Sequence, residues 1–279
     1  AIDDHQVLAE RVAYAATEAR AARELIEYAA GVRSEGRGDT WLEATAAAGA
    51  AELVASLVAR LTPAVDDLGI GDEALQASFP PDLRKKLRAA SNEAVFRAIG
   101  REVAGRRGRN ETPLDETLEQ VRSSVREFAE KEIAPHAEHI HRTDDLIPEE
   151  FITKMAELGY FGLSVPEEYG GYEMGNLAMI LTTEELSRAS LAAAGSLITR
   201  PEILTKALMA GGTEEQKKFW LPKIAAGELM VGISVTEPDI GSDVAGVKCR
   251  AERATVGGVA GFVVNGPKSW CTFAGRANV

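Results

Sequence analysis

Cysteine and basic charge are both scarce in this 279-residue chain. Cys249 and Cys271 are its only cysteines, and nothing in their sequence surroundings suggests a disulfide framework. We therefore expect a chain that works in a reducing cytoplasm. Lys and Arg total 31 against 43 Asp and Glu, which gives a formal net charge of -12. Proteins that follow nucleic-acid phosphates carry the opposite sign, so we expect no nucleic acid among the partners.

Long apolar runs without charges are also lacking. The N-terminal stretch AIDDHQVLAER has charges where a signal peptide needs an apolar centre, and no uncharged apolar run approaches the thickness of a bilayer. From the sequence we expect neither a signal peptide nor a membrane partner, and hence a soluble, cytoplasmic protein.

Apolar and helix-forming sequence is abundant. Hydrophobic residues make up 45% of the chain, which is enough for one large or two to three smaller domains. Residues 1–110 predict three Ala-rich helices, over about 7–30, 40–61 and 82–104, and the second is expected to open with a capping box of Thr40 and Glu43. Such a helical extension is typical of a docking or oligomerisation domain, or of a stabilising appendage.

A short basic run, GRRGR at 105–109, closes this extension. Three arginines beside two glycines are typical of a solvated linker, and the alternative is a grip on the phosphate or ribose of CoA.

The next predicted domain, 111–228, is again helical. Its first helix is expected to have Thr112 as N-cap and Pro113 at the first helical position, and to end at Pro135. Further helices are predicted over about 177–188 and 192–210, and a last one over 214–225 opens with a Thr213/Gln216 capping box.

Three histidines, His136, His139 and His141, follow the predicted end at Pro135. Three imidazoles within six residues could bind zinc, but their spacing straddles a helix end and no fourth ligand is identifiable. We interpret the cluster as a solvated turn and predict no metal site.

From residue 229 to 279 the pattern changes to strands. Val231–Val235 is a run of β-formers, Lys248–Arg253 alternates, Gly257-Gly258 predicts a turn, and Asn265-Gly266 is a strong hairpin signal. Helices followed by antiparallel strands predict an α+β fold.

The loop within MVGISVTEPDIGSD, at 230–243, is small, hydroxylated and contains glycine. Pro238 fixes φ, Gly241 lets the backbone pass close to a ligand, and Thr236 and Ser242 supply hydroxyls. Such a loop suits a phosphate or an aromatic heterocycle. The alternative is an ordinary turn whose Asp and Ser side chains bond to their own backbone.

Four separated motifs, taken in order, resemble the acyl-CoA dehydrogenases: MAELGYFGLSVPEEYGG, GGTEEQKKFWLPKIAAGE, VTEPDIGSDVAGVK and NGPKSWCT. The resemblance covers the chain from about Thr112 onwards. It implies an all-α N-terminal extension, then an acyl-CoA dehydrogenase-type helical domain, then the start of an antiparallel FAD-binding β-domain, without the C-terminal helical bundle of the family. A GxGxxG motif after a strand is absent, which fits a family that binds FAD without a Rossmann fold.

The extension with GVRSEGRGDTWLEA, together with TRPEILTKAL and WCTFAGRA, is similar to the methylsuccinyl-CoA dehydrogenase branch of this family. That likeness implies FAD-dependent dehydrogenation of (2S)-methylsuccinyl-CoA to mesaconyl-CoA in the ethylmalonyl-CoA pathway, with electrons passed to an electron-transfer flavoprotein. The alternatives are a dehydrogenase or oxidase for another short-chain acyl-CoA and a non-catalytic flavin-binding homologue. A homo-oligomer is also implied, because flavin sites in this family lie partly at subunit interfaces.

The resemblance assigns the flavin to two segments. Val235 and Thr236 would meet the isoalloxazine ring, Trp270 would lie against its face, and Thr272 would donate a hydrogen bond near N5. The expected FAD-binding residues are Ile233, Val235, Thr236, Gly241, Ser242, Trp270, Cys271 and Thr272. For Cys271 the alternatives are tuning the flavin and filling space.

The expected substrate-binding residues are Ser242, Arg200 and Arg188. A dicarboxylic substrate needs a partner for its second carboxylate, and the planar fork of an arginine matches it. The catalytic base implied by the family is a glutamate of the C-terminal helical domain or a neighbouring helix, which lies beyond Val279. We therefore assign no catalytic residue in this sequence.

Overall fold

The computed structural model describes residues 2–107 and 113–279 and divides into two compact units, Ala1–Pro113 and Leu114–Val279. The sequence-based division at 1–110, 111–228 and 229–279 stays a prediction. Thr112 and the Gly108-Arg109 end of the basic run lie outside the described residues.

Helices account for the described part of the first unit: α1 (Gln6–Ser34), α2 (Thr40–Leu61), α3 (Gly71–Ser78), α4 (Pro81–Ala90) and α5 (Glu93–Gly105). The single helix expected over 82–104 is wrong. It is broken at Ser91, and Asn92 caps a new helix by accepting a 3.1 Å hydrogen bond from the Val95 amide. The capping box expected at Thr40 is also wrong, because Asp39 is the N-cap of α2 and accepts from the Leu42 amide at 2.6 Å.

Alanines form much of the contact between α1 and α2. Ala15, Ala22 and Ala29 are buried at seven-residue spacing on α1, opposite buried alanines of α2. A polar network joins the same helices, since the Glu18 carboxylate accepts from Arg60 at 3.0 Å and from the Ser56 hydroxyl at 2.6 Å. These two hydrogen bonds lower the pKa of Glu18, and the bond from Arg60 has the larger effect.

Helix α2 with the turn after it, Thr40–Ala64, is long and apolar enough to cross a membrane by length and composition, with a mean hydropathy of 1.4 over 18 residues. Sequence reading did not single it out, because Glu52 and Arg60 interrupt its apolar runs. Its packing on α1 shows that the same composition serves a helix–helix contact within the first unit.

In the second unit the helices are α6 (Glu116–Phe128), α7 (Ala134–Thr143), α8 (Glu149–Glu157), α9 (Gly175–Ser190), α10 (Ser196–Gly211) and α11 (Glu214–Ala225). π-helical turns at Ala129–Ile133 and Leu191–Gly195 join α6 to α7 and α9 to α10. The main core lies among these helices, with Ile133, Met155, Leu186 and Leu197 fully buried.

Two expectations for the first helices of this unit are wrong. Asp115, not Thr112, caps α6 by accepting from the Leu118 amide at 2.9 Å. The helical path also continues past Pro135, which lies in the first turn of α7, directly after the π-helical turn Ala129–Ile133. The three histidines are therefore exposed on α7 rather than in a turn. Among the described residues, no group of three His, Cys, Asp or Glu side chains is placed to hold a metal.

The predicted start of α11 is confirmed. Thr213 accepts from the Gln216 amide at 3.3 Å and the Gln216 side chain accepts from the Thr213 amide at 2.9 Å, which completes the capping box.

An antiparallel hairpin follows, formed by β1 (Arg250–Val256) and β2 (Val259–Asn265). Gly257 and Gly258 make its turn with φ of 58° and 84°, values that favour glycine. The α+β fold predicted from the sequence is thereby confirmed. Asn265-Gly266, in contrast, ends β2 and starts no further hairpin in the described structure.

Candidate functional site

The loop 230–243 and the segment 265–279 lie side by side, although more than twenty residues separate them. The Ser269 amide donates to the Thr236 carbonyl at 2.9 Å. The Gly232 amide donates to the Val279 carbonyl at 2.8 Å, and the Asn278 amide donates to the Met230 carbonyl at 2.8 Å. The two segments that the sequence assigned to the flavin therefore form one surface.

Val231–Val235 is not a strand, contrary to the sequence-based expectation. A ladder requires regular pairing with a neighbouring strand. In the described structure, the backbone of this run makes hydrogen bonds only near its two ends. The Gly232 amide donates to the Val279 carbonyl, and the Val235 carbonyl accepts from the Lys268 side chain. The run belongs to no sheet of the described structure.

Glu237 is the polar centre of this surface and is 4% exposed. Its carboxylate accepts from the Lys248 amide at 2.9 Å, the Cys249 amide at 2.8 Å and the Lys268 ammonium at 3.0 Å. The two backbone hydrogen bonds, helped by Lys268, outweigh burial and lower the pKa of Glu237 to about 2. The carboxylate is therefore ionised at neutral pH and ties three chain segments together.

Trp270 is the most exposed large apolar side chain of the described residues, at 89%. Its backbone has φ of 59°, a conformation that is unusual for a residue with a side chain and costs about 1–3 kcal/mol. Two residues later, the Thr272 amide donates to the Trp270 carbonyl at 2.9 Å. A strained turn thus holds an indole open to solvent.

The next part of the same segment is anchored in the helical core. Phe273 packs against the main core cluster, and the Arg276 guanidinium donates to the Ile147 carbonyl at 2.6 Å and pairs with Glu149. The exposed turn at Trp270 is therefore fixed from both sides, by Lys268 before it and by Phe273 and Arg276 after it.

The remaining predicted flavin residues line the loop. Ile233 and Thr236 are half-buried, and Val235 is 47% exposed. The buried Ser234 hydroxyl has no hydrogen-bond partner among the described residues. Gly241 and Ser242 are exposed, and a Cβ added at Gly241 would meet nothing within 4 Å.

Arg200 and Arg188 lie in different electrostatic settings. The Arg188 guanidinium pairs with Glu130 and with Glu185, the latter at 3.2 Å, so its charge is already neutralised. Burial alone would raise the pKa of Glu185, but its ion pairs with Arg126 and Arg188 outweigh that and lower it.

Arg200 forms no ion pair with the described residues, and its guanidinium donates to the Ser196 carbonyl one helical turn earlier. Burial lowers the pKa of Arg200, and the Cys271 thiol nearby opposes that shift. Cys271 also lies close to Gly232, since a Cβ there would be 3.8 Å from its sulfur. The Arg200 guanidinium thus has no carboxylate partner among the described residues, whereas that of Arg188 has two.

Sequence reasoning missed Glu237 and Lys268 as functional candidates. Both stand inside the motifs that were singled out, but a Glu in a turn and a Lys after Gly-Pro normally indicate solvent exposure. Their signal is tertiary, because burial of the carboxylate depends on where residues 248 and 268 lie.

These residue types fit a flavin. An exposed indole and the partly exposed Val235 offer apolar surface to a ring, while the hydroxyls of Thr236, Ser242 and Thr272 offer hydrogen bonds to polar edges. The open space at Gly241 allows a pyrophosphate to approach the backbone.

Comparison with known proteins agrees with this geometry. The family profile described as "Acyl-CoA dehydrogenase, N-terminal domain" matches residues 115–228. The (2S)-methylsuccinyl-CoA dehydrogenase of Cereibacter sphaeroides is 34% identical over the whole of this chain, which spans 51% of that protein. The chain therefore spans about half the length of this curated relative.

Two solved structures share the fold. One is the glutaryl-CoA dehydrogenase of Mycobacterium smegmatis in complex with FADH2, at a TM-score of 0.53 and 29% identity over 60% of this chain and 42% of that one. The other is described as the electron transferring flavoprotein of Acidaminococcus fermentans, at a TM-score of 0.52 and 29% identity over 60% of this chain and 43% of that one. Over residues 115–228 the chain therefore matches the N-terminal domain of the acyl-CoA dehydrogenase family.

Proposed function

We propose that this chain binds FAD and a CoA thioester and serves the α,β-dehydrogenation of a short dicarboxylic acyl-CoA. The observation that carries the proposal is the meeting of the loop 230–243 with Trp270–Thr272 on one surface of a chain whose residues 115–228 match the acyl-CoA dehydrogenase N-terminal domain. Likeness to a structure with FADH2 bound supports the choice of cofactor.

Each predicted residue has a distinct role on this surface. The Trp270 indole and Val235 give the flavin ring apolar contact, and the Thr236 and Thr272 hydroxyls donate to its polar edge. Gly241 and Ser242 approach the pyrophosphate and the CoA moiety. Bound FAD would supply the acceptor for the hydride that leaves the β carbon.

Arg200 supports a substrate with a second carboxylate. It is half-buried and has no carboxylate partner among the described residues, so a ligand carboxylate would satisfy it. We therefore propose (2S)-methylsuccinyl-CoA, which a relative at 34% identity is named for.

The proposal extends to partners and setting. An electron-transfer flavoprotein is the proposed acceptor, supported by the likeness to a structure described with that name. A homo-oligomer in the cytoplasm, without nucleic acid or membrane as partner, completes the proposal.

The test is a binding titration of the purified chain. Binding to the chain is expected to quench the fluorescence of FAD, and the titration should saturate at one FAD per chain. The Kd values of methylsuccinyl-CoA and butyryl-CoA, measured from the change in the flavin spectrum, should favour methylsuccinyl-CoA by about tenfold or more.

The two parts of the proposal fail separately in this experiment. A chain that leaves FAD fluorescence unchanged contradicts the flavin assignment. A chain that binds FAD but holds both thioesters equally contradicts the dicarboxylic substrate and keeps the flavin site.

A further inference from the structure

Glu237 and Lys268 lie where the two segments of the flavin surface meet residues 248–249. The carboxylate bonds to the amides of residues 248 and 249 and to the Lys268 ammonium. Lys268 donates a second hydrogen bond, at 3.0 Å, to the Val235 carbonyl. The ion pair between Glu237 and Lys268 therefore connects Val235, residues 248–249 and the segment that leads to Trp270.

The surrounding backbone leaves little freedom for this junction. The Glu237 amide and carbonyl both bond to Ile240, at 2.9 and 3.1 Å, which closes the turn at Pro238. Gly266, two residues before Lys268, passes so close to Cys249 that a Cβ there would be 2.7 Å from its Cα. The ion pair thus lies where three segments of the backbone pass close to one another.

The neighbours of the pair are the residues assigned to the flavin. Val235 and Thr236 directly precede Glu237, and Trp270 follows Lys268 by two positions. Neither charged side chain is free to meet a ligand, because Glu237 is 4% exposed and the Lys268 ammonium is held by two oxygens.

We propose that Glu237 and Lys268 are positioning residues, which set the geometry of the assigned flavin-binding residues before the cofactor binds: Val235, Thr236, Gly241, Ser242, Trp270 and Thr272. The proposal rests on the proposed FAD site. Preformed sites bind more tightly because they spend less free energy on ordering, so loss of the pair should weaken FAD binding even where the fold survives.

The test compares FAD affinity with the stability of the FAD-free chain. Glu237→Gln keeps the shape of the side chain but turns an ionised acceptor into an amide with a donor facing other donors. We expect the Kd for FAD to rise about tenfold to a hundredfold. The flavin's circular dichroism in the visible range should change as well, because the ring loses its fixed setting.

Asp239→Asn is the matched control. It removes a carboxylate two residues away in the same turn, but Asp239 is exposed and its contact with Lys248 is 3.9 Å. This variant should keep the wild-type Kd within about twofold.

Lys268 supplies a second, independent variant. Lys268→Met should raise the Kd as Glu237→Gln does, and Lys268→Arg should restore much of the affinity because it keeps the charge and the donors. The double variant should lose less than the sum of the two single losses, as expected for residues that act through each other. If Glu237→Gln does not fold, the FAD affinities of Lys268→Met and Lys268→Arg decide whether the positioning role holds.

The outcomes separate the possible failures. If the wild type and Asp239→Asn bind FAD, and Glu237→Gln and Lys268→Met bind it equally well, the positioning role is overturned and the FAD site stands. If these variants have a lower Tm without FAD but an unchanged Kd for FAD and an unchanged flavin spectrum, the ion pair only stabilises the fold. That result also overturns the positioning role. If the wild type binds no FAD, both proposals fall together.

Discussion

Arg200 is the residue on which the proposed choice of substrate depends. Arg200→Ala removes a half-buried guanidinium that has no carboxylate partner among the described residues. We therefore expect the Kd of methylsuccinyl-CoA to rise about tenfold to a hundredfold, while that of butyryl-CoA stays within about twofold. Titration of the FAD-loaded chain with each thioester measures the ratio.

Arg188→Ala is the control for this experiment. That guanidinium already pairs with Glu130 and Glu185, so its removal should cost stability and leave the ratio of the two Kd values unchanged. If Arg200→Ala weakens both thioesters equally, the assignment of Arg200 to the second carboxylate is wrong.

Single residues could be proposed from the sequence where a motif marks them, and not where tertiary placement decides. Thr236 and Trp270 could be named because they stand in motifs shared with a family. Arg188 and Arg200 are both candidates in the sequence, and the positions of Glu130 and Glu185 give the two guanidinium groups different surroundings. Glu237 was missed because the donors that enclose it come from residues 248, 249 and 268.

Among the elements, the loop Leu163–Met174 has little spare room. Amides of Tyr172, Glu173 and Met174 donate back across it at 3.0, 3.1 and 2.9 Å, and a Cβ at Gly171 would lie 2.0 Å from the Val165 carbonyl oxygen. Gly171→Ala should therefore destabilise the chain by about 3 kcal/mol, because backbone must move to admit a methyl group. Urea unfolding measures this.

Gly211→Ala, at the end of α10, is the matched substitution. A Cβ there meets nothing within 4 Å, so its free energy of unfolding should stay within about 0.5 kcal/mol of the wild type. Equal stabilities of the two variants would contradict the packing of the loop.

Elements were predictable where their signals are local. The capping box of α11 needs only Thr213 and Gln216, three residues apart, and it is present as predicted. A strand needs a partner strand to pair with. Val231–Val235 therefore joins no sheet, although its residues favour β-structure. The break between α4 and α5 depends on one Asn cap that the apolar pattern of 82–104 conceals.

Across the whole molecule, acid should unfold this chain through its glutamates. Five described glutamates have a lowered pKa, each held by cations or hydrogen bonds: Glu18, Glu132, Glu185, Glu214 and Glu237. A lowered pKa in the folded state contributes stability above the ordinary value of 4.5, and that stability is lost as the pH falls. For Glu237 the loss extends from pH 4.5 to about 2.

Urea midpoints between pH 7 and pH 2.5 check this prediction. The wild-type midpoint should fall steeply below pH 4.5, and that of Glu237→Gln should start lower and fall less, because one titrating contribution is gone. Asp239→Asn should follow the wild-type curve. Parallel curves for wild type and Glu237→Gln would contradict the role of the Glu237 carboxylate.

The exposed indole of Trp270 gives the chain a native optical reporter. Three tryptophans occur in the sequence, and the other two, Trp41 and Trp220, are half-buried, the first beneath the Arg106 guanidinium and the second edge-on to Phe219. An indole in water emits at longer wavelength than one in a protein interior, so Trp270 dominates the red side of the emission. Replacing Trp41 and Trp220 by phenylalanine would leave one emitter, at the surface assigned to the flavin, that requires no attached dye.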